Sequence, residues 1–299
     1  MSLEVYAAYL TTEKRMTDNT KQAYLRDLRH FSNFAEARGI DDPAEASSTD
    51  ILAYLMELKT GGRSKSTVNR KLASLRTYYQ YLIKMREIFE NPTESIKSPK
   101  VEKKEIQYLT TEEIDRLLEL PEDTAKGKRD RAILELLYAT GIRVSECVGL
   151  NTDDLNFEEN SMFVTRKGGK EMILYFSDEV ADALRAYLKE REQIQPLEGH
   201  EEALFLSLQK RRITQRAIEN LVKKYAAIAA PLKRKISPHK LRSTYGTTLY
   251  NETGDIYLVA DVLGHADVNT TRRHYAAMSD SRRRMAAKAV KLRDDAPEE

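Results

Sequence analysis

At 299 residues, 41% hydrophobic and 32% charged, the chain carries enough apolar residue for two cored domains and too much for a disordered segment. No stretch approaches the apolar length that crosses a membrane, and Met1 to Lys14 holds no leader-like apolar run, so a cytoplasmic protein with no membrane partner is expected. The single cysteine, Cys147, excludes an intrachain disulfide and a cysteine-based metal site, and the formal net charge of +2 does not by itself point to a polyanionic partner.

Residues 1–90 read as a helical domain. Tyr24, Leu28, Phe31 and Ala35 recur at helical spacing until Gly39, and Val68, Leu72, Leu75, Tyr79 and Leu82 form a second stripe. Ser66 and Thr67 offer capping side chains at the start of that second helix. Arg70, Lys71 and Arg76 fall off its stripe, so the helix is expected to pack inward on apolar residues and turn cations outward. Tyr78, Tyr79 and Tyr81 are expected to pack rather than react. Residues 91–107, with Pro92, Pro99 and a lysine-rich remainder, read as a linker.

Residues 108–299 read as a second, mostly helical domain. Thr110 to Glu113 has the form of a capping box, and Arg131 to Tyr138 is helical up to Gly141. Ser161 to Lys167 and Glu171 to Phe176 form a strand pair around Gly168-Gly169. Helices follow over Asp178 to Arg191, Thr214 to Ala229 and Pro238 to Asn251, the last opened by Ser237-Pro238. A short amphipathic helix, spaced by Met285, Ala289 and Leu292, closes the chain.

The distribution of charge says more than its sum. Arg63 to Arg86 holds seven basic residues and no acid, and Phe205 to Tyr250 holds eleven against Glu219 alone. Such segregation fits a phosphate-facing surface, against the alternative of two solvated helix faces. Candidate contacts are Arg63, Lys65, Arg70, Lys71 and Arg76 in the first region, and Arg211, Arg212 and Arg216 in the second.

Arg143, Lys167, His239, Arg242, His265 and Tyr275 form the candidate catalytic set. A phosphodiester repels nucleophiles, so cleaving it needs charge neutralisation, an aligned nucleophile and a proton for the leaving oxygen. Arginine's planar fork meets two phosphate oxygens, a tyrosine oxygen can form a phosphoester, and lysine or histidine can move the proton. Singly, each signal is weak. Arg143 and Glu146 have the spacing of an ion pair, with Glu146 read as a structural partner, and His265 after Gly264 has the place of a helix end.

Jointly, the residues resemble the tyrosine recombinase (phage-integrase-like) family. Ala139 to Glu146 is similar to its first arginine box, Arg166 to Lys170 to its lysine hairpin, and Pro238 to Arg242 to its histidine-x-x-arginine box. Leu263-Gly264-His265 and Thr270-Thr271 with Tyr275 are similar to the segments that follow. The resemblance implies a mainly α fold. It consists of a helical core-binding (SAM-like) domain, then a mixed α/β, mostly helical catalytic domain with a small β-sheet and a C-terminal exchange helix. It implies that Arg143 and Arg242 hold the scissile phosphate, Lys167 protonates the 5′ oxygen, His239 moves a proton, His265 hydrogen-bonds the phosphate and Tyr275 is the nucleophile. Lys170 is the alternative lysine, and Tyr275 stands ten residues after His265, where many compact members show nine. The expected partner is double-stranded DNA with a specific site, bound by a homo-tetramer or by a hetero-tetramer with a second recombinase. No metal and no cofactor are expected, and the location would be the nucleoid. Compact Xer-type recombinases, which resolve DNA dimers, and mobile-element integrases both fit. A silent DNA-binding regulator and a type IB topoisomerase are the rival readings.

Overall fold

The computed structural model describes residues 3–100, 108–166, 169–233 and 235–264. Lys167, His265, Tyr275 and the C-terminal amphipathic segment lie outside the described residues. The chain forms two units, Met1–Lys104 and Glu105–Glu299. Among the described residues there are eleven α-helices and one three-stranded sheet, the mainly α fold read from the sequence.

In the first unit α1 (Leu3–Thr12), α2 (Asp18–Glu36), α3 (Ser48–Thr60) and α4 (Lys65–Lys84) surround one core. The α4 stripe of Val68, Leu72, Leu75, Tyr79 and Leu82 is buried as its spacing requires, with Tyr78 and Tyr81 beside it. Tyr6, Tyr9, Tyr54, Phe31 and Phe34 extend the same core through edge-on, tilted and stacked ring contacts at 4.8–6.3 Å. Ser64 caps α4 and accepts from Thr67 N at 3.1 Å, so the cap lies upstream of the expected Ser66 and Thr67.

Two further expectations are corrected. Lys71 does not face outward: it is buried, and its ammonium lies 3.3 Å from Asp27 Oδ1 and donates to Tyr54 Oη at 3.2 Å. Arg70 pairs with the same carboxylate from the exposed side. Residues 91–99 are not a free tether but part of the first unit. Ile96 joins its core, Asn69 Nδ2 donates to Pro99 O at 2.9 Å, Ser48 Oγ to Pro92 O at 2.7 Å, and Arg76 to Ser98 Oγ at 3.0 Å.

In the second unit α5 (Thr111–Glu119) opens with the expected Thr110–Glu113 capping box. Next come α6 (Ala125–Thr140), α7 (Val144–Gly149), β1 (Leu155–Asn156), β2 (Ser161–Thr165), β3 (Glu171–Tyr175), α8 (Asp178–Arg191), α9 (Gln215–Ala229), α10 (Pro238–Thr253) and α11 (Ile256–Leu263). The sheet is antiparallel in the order β1-β2-β3, with Phe163 opposite Ile173 and Val164 opposite Met172. It adds β1 to the strand pair expected from the sequence, and its strands stop short of Lys167 and Phe176. Met162, Val164 and Leu174 face the core, while Phe163, Ile173 and Tyr175 face out. The core collects α6, α8 and α9 through residues such as Ile133, Leu137, Leu184 and Val222. Asp130 braces it: among its donors are Arg129 (2.7 Å), Lys126 (2.7 Å) and Tyr225 (3.0 Å).

Candidate active site

α11 organises the site although it is only eight residues long. Asp255 caps its start by accepting from Tyr257 N at 2.8 Å and Leu258 N at 3.1 Å, and Gly264 ends it in the left-handed region at φ 59°. The last carbonyls of a helix have no partner within the helix and carry the negative end of its dipole. Here arginines from three distant segments meet them. Arg166 Nη2 donates to Val262 O at 2.7 Å, Arg242 Nη2 donates to Leu263 O, and Arg143 Nη2 donates to Gly264 O at 3.0 Å.

Arg143 stands at the N-cap of α7, where its backbone N donates to Glu146 Oε2 at 3.0 Å and its guanidinium to Oε1 at 2.7 Å. The Glu146 side chain is only 4% exposed and that of Arg143 35%, so this pair is a half-buried clamp of a helix start rather than a surface ion pair. Arg242, on α10, is buried and also donates to Gly141 O. Gly141 ends α6 at φ 60°, a conformation glycine adopts without strain. A Cβ at Gly141 would lie 2.5 Å from Tyr245 and 2.9 Å from Leu263, so the close approach of α6, α10 and α11 also requires glycine. His239 sits in the first turn of α10, exposed, three residues before Arg242.

The structure thus brings Arg143 and Arg242 onto one turn, the one that runs into His265. The hairpin leading to Lys167 reaches the same turn through Arg166, and Gly169 closes it at φ 75° with its N donating to Arg166 O at 3.0 Å. Arg166 lies in the segment similar to the lysine hairpin, where the resemblance implies no role for it; an arginine directly before the lysine is the signal the sequence offers. A cluster of guanidiniums with Glu146 and Asp261 as nearby acids suits a multivalent oxyanion, and planar forks suit a tetrahedral phosphate. Among the described residues no group of His, Cys, Asp and Glu is arranged to hold a metal ion.

The remaining candidate contacts divide. Arg63, Lys65 and Arg211 are exposed, and Arg216 is exposed with Glu219 at 3.7 Å. Arg212 is internal to the fold, donating to Val148 O (2.9 Å), Leu150 O (2.7 Å) and Asn151 Oδ1 (2.5 Å). It holds α7 to the loop before α9, so its guanidinium is not turned outward as the charge count suggested. No described helix is long and apolar enough to cross a membrane.

Residues 107–282 match the phage integrase family, and residues 3–86 match the phage integrase N-terminal SAM-like domain. The larger match spans Lys167, His265 and Tyr275. The chain is 35% identical over 275 residues to the tyrosine recombinase XerD of Oceanobacillus iheyensis, covering 91% of this chain and 92% of that protein. It is 37% identical over 273 residues to the tyrosine recombinase XerC of Herpetosiphon aurantiacus, covering 90% and 88%. Among solved structures, the XerH site-specific recombinase bound to difH in a pre-cleavage complex superposes with a TM-score of 0.69 at 25% identity, covering 91% of this chain and 79% of that one. The Tn1549 transposon integrase with transposon right-end DNA shares the fold, with a TM-score of 0.74 at 22% identity over 96% and 99%. The chain belongs to the phage integrase family of tyrosine recombinases.

Proposed function

We propose that this site-specific DNA recombinase cuts and rejoins duplex DNA with Tyr275 as nucleophile and Arg143 and Arg242 as the clamp on the scissile phosphate. The observation that carries the assignment is the meeting of those two guanidiniums on the turn Leu263–Gly264, directly before His265. A guanidinium has five N–H groups, so anchoring to carbonyls is compatible with holding a phosphate.

In cleavage the Tyr275 oxygen bonds to phosphorus as the bond to the 5′ oxygen breaks. Lys167 gives the departing oxygen its proton, His239 takes the proton of the phenol, and His265 hydrogen-bonds a non-bridging oxygen. The products are a 3′-phosphotyrosine and a 5′ hydroxyl. Attack by a 5′ hydroxyl of the partner duplex reverses these steps, so the bond energy is kept and no nucleotide cofactor is needed. Four protomers act on two duplexes, either four copies of this chain or copies shared with a second recombinase. The Xer-type relatives, aligned along nearly their whole length, favour resolution of DNA dimers over element movement. Exposed Arg63, Lys65, Arg211 and Arg216 supply sequence-independent phosphate contacts.

Covalent trapping tests the reading. Protein is incubated without magnesium with nicked duplexes from the gene's flanks and from candidate chromosomal sites, then run on a denaturing gel. An adduct is expected in the wild type and none in Tyr275→Phe; an adduct in both would give the nucleophile to another residue. Binding with no adduct on any site would favour the silent regulator.

A further inference from the structure

The phosphate clamp leaves one arginine unexplained. Arg166 directly follows β2, and its guanidinium is folded against the C-terminal turn of α11. A Cβ at Gly264 would lie 1.3 Å from Arg166 Nη1 and 2.4 Å from Cζ, so Arg166 occupies the space that only glycine leaves open. Its Nη2 is bonded to Val262 O, while its Nε is buried with no hydrogen-bond partner among the described residues. Burial lowers the guanidinium's pKa, and Arg143 lowers it further, against Glu146 and Asp261.

Stability alone gives a poor account of these facts. A half-buried cation, with a buried unmet N–H and a like charge nearby, costs free energy that one carbonyl bond does not return in full. Arg166 instead ties into the turn Val262–Gly264, bonded at Val262 O and filling the space beside Gly264. The carbonyls of Leu263 and Gly264, on that same turn, are the anchors of Arg242 and Arg143.

We infer that Arg166 is a positioning residue for strand cleavage: packed into the gap at Gly264, it locks the turn whose carbonyls aim Arg143 and Arg242 at the scissile phosphate. The inference rests on the clamp proposed above. Arg166 works through two neighbours and does not itself hold the phosphate. A shift of about 1 Å in a positioned group can cost about 100-fold in rate. Loss of Arg166 therefore slows chemistry and leaves duplex affinity, which comes from many distributed contacts, largely in place.

The test compares Arg166→Ala with wild type in single-turnover adduct formation, enzyme saturating, on two versions of the cleavage site. One carries the ordinary phosphate; the other carries a methylphosphonate, which lacks one non-bridging negative charge. On the ordinary phosphate the rate is expected to fall roughly 10- to 100-fold, with duplex affinity and Tm close to wild type. On the methylphosphonate, where less charge needs the arginines, the loss is expected to shrink to a few-fold. An unchanged rate on the ordinary phosphate would overturn the inference. So would an equal loss on both substrates, or a fall in Tm that parallels the fall in rate, since each marks a merely structural side chain. Tyr275→Phe runs in parallel. If its adduct persists, the nucleophile assignment fails; if its adduct vanishes while Arg166→Ala cleaves normally, only the role of Arg166 fails.

Discussion

Replacing Gly141 with alanine strikes the backbone and the site together. Gly141 sits at φ 60°, where an L-residue is strained by roughly 1–2 kcal/mol. The added methyl would stand 2.5 Å from Tyr245 Cδ1 and 2.9 Å from Leu263 Cδ2, both in the packing between α10 and α11. Forcing volume into such a position costs about 1–3 kcal/mol more. The sum, about 2–5 kcal/mol, lowers Tm by about 4–20 °C in a domain of this size. The same methyl displaces both carbonyls that anchor Arg242, those of Gly141 and Leu263. At a temperature where the variant is folded, single-turnover adduct formation is therefore expected to fall about 10- to 100-fold while duplex binding persists. Gly149→Ala is the control, because Gly149 has open space around it and no left-handed backbone, so its change is expected to be neutral. Thermal melts and adduct gels on the two variants decide the matter. A Gly141→Ala protein that melts with wild type, or that cleaves at the wild-type rate, would refute the packing argument.

Three further outcomes are expected. Burial pushes the Glu135 carboxyl up to about 7, with Arg131 partly opposing the rise and Glu179 adding to it, and its Oε2 has no partner among the described residues. The folded state then holds a proton that the unfolded state releases near pH 4.5. This contribution to stability is present at low pH and is lost as pH rises through about 7, so Glu135→Gln should flatten the melting profile over that window. Asp130→Ala strands the 10%-exposed side chain of Arg129 and should cost about 3–5 kcal/mol, whereas Lys126→Ala, which removes a 43%-exposed partner, should cost under about 1 kcal/mol; equal losses in denaturant titrations would contradict this. Cys147 is wholly buried, with its thiol pushed up to about 12, so a disulfide-exchange reagent should label it only after denaturation.

The helices were legible where their signals are local. Asp178 to Arg191 and the Thr110–Glu113 box could be read because capping residues and apolar spacing lie within one element. The α4 cap was misplaced because Ser64, Ser66 and Thr67 are all hydroxyl residues, and only the geometry of the first turn chooses among them. Strand β1, two residues long, carries no readable period. Lys71 and Arg212 were counted as outward cations because a charge run does not reveal its partners. Their partners, Asp27 and the carbonyls of residues 148–150, are far away in sequence. Residues 91–99 have the composition of a linker, yet Ile96 finds a core. Arg143, His239 and Arg242 stand out as candidates through spacing and family resemblance. The anchoring of the arginines by a helix end was not visible, because no local pattern links Gly264 to Arg143 or Arg166.

The backbone anchoring of the arginines bears on the direction of the reaction. A main-chain carbonyl neither titrates nor departs with a product, so these anchors of the proposed clamp keep the same shape and charge on either side of the chemical step. A phosphodiester and a phosphotyrosine ester present similar non-bridging oxygens to it. An enzyme that stabilises both alike speeds exchange in each direction and leaves the equilibrium where it was. Whether a crossover proceeds or reverts must then be decided away from this site, by the topology of the DNA or by the assembly that holds the two duplexes.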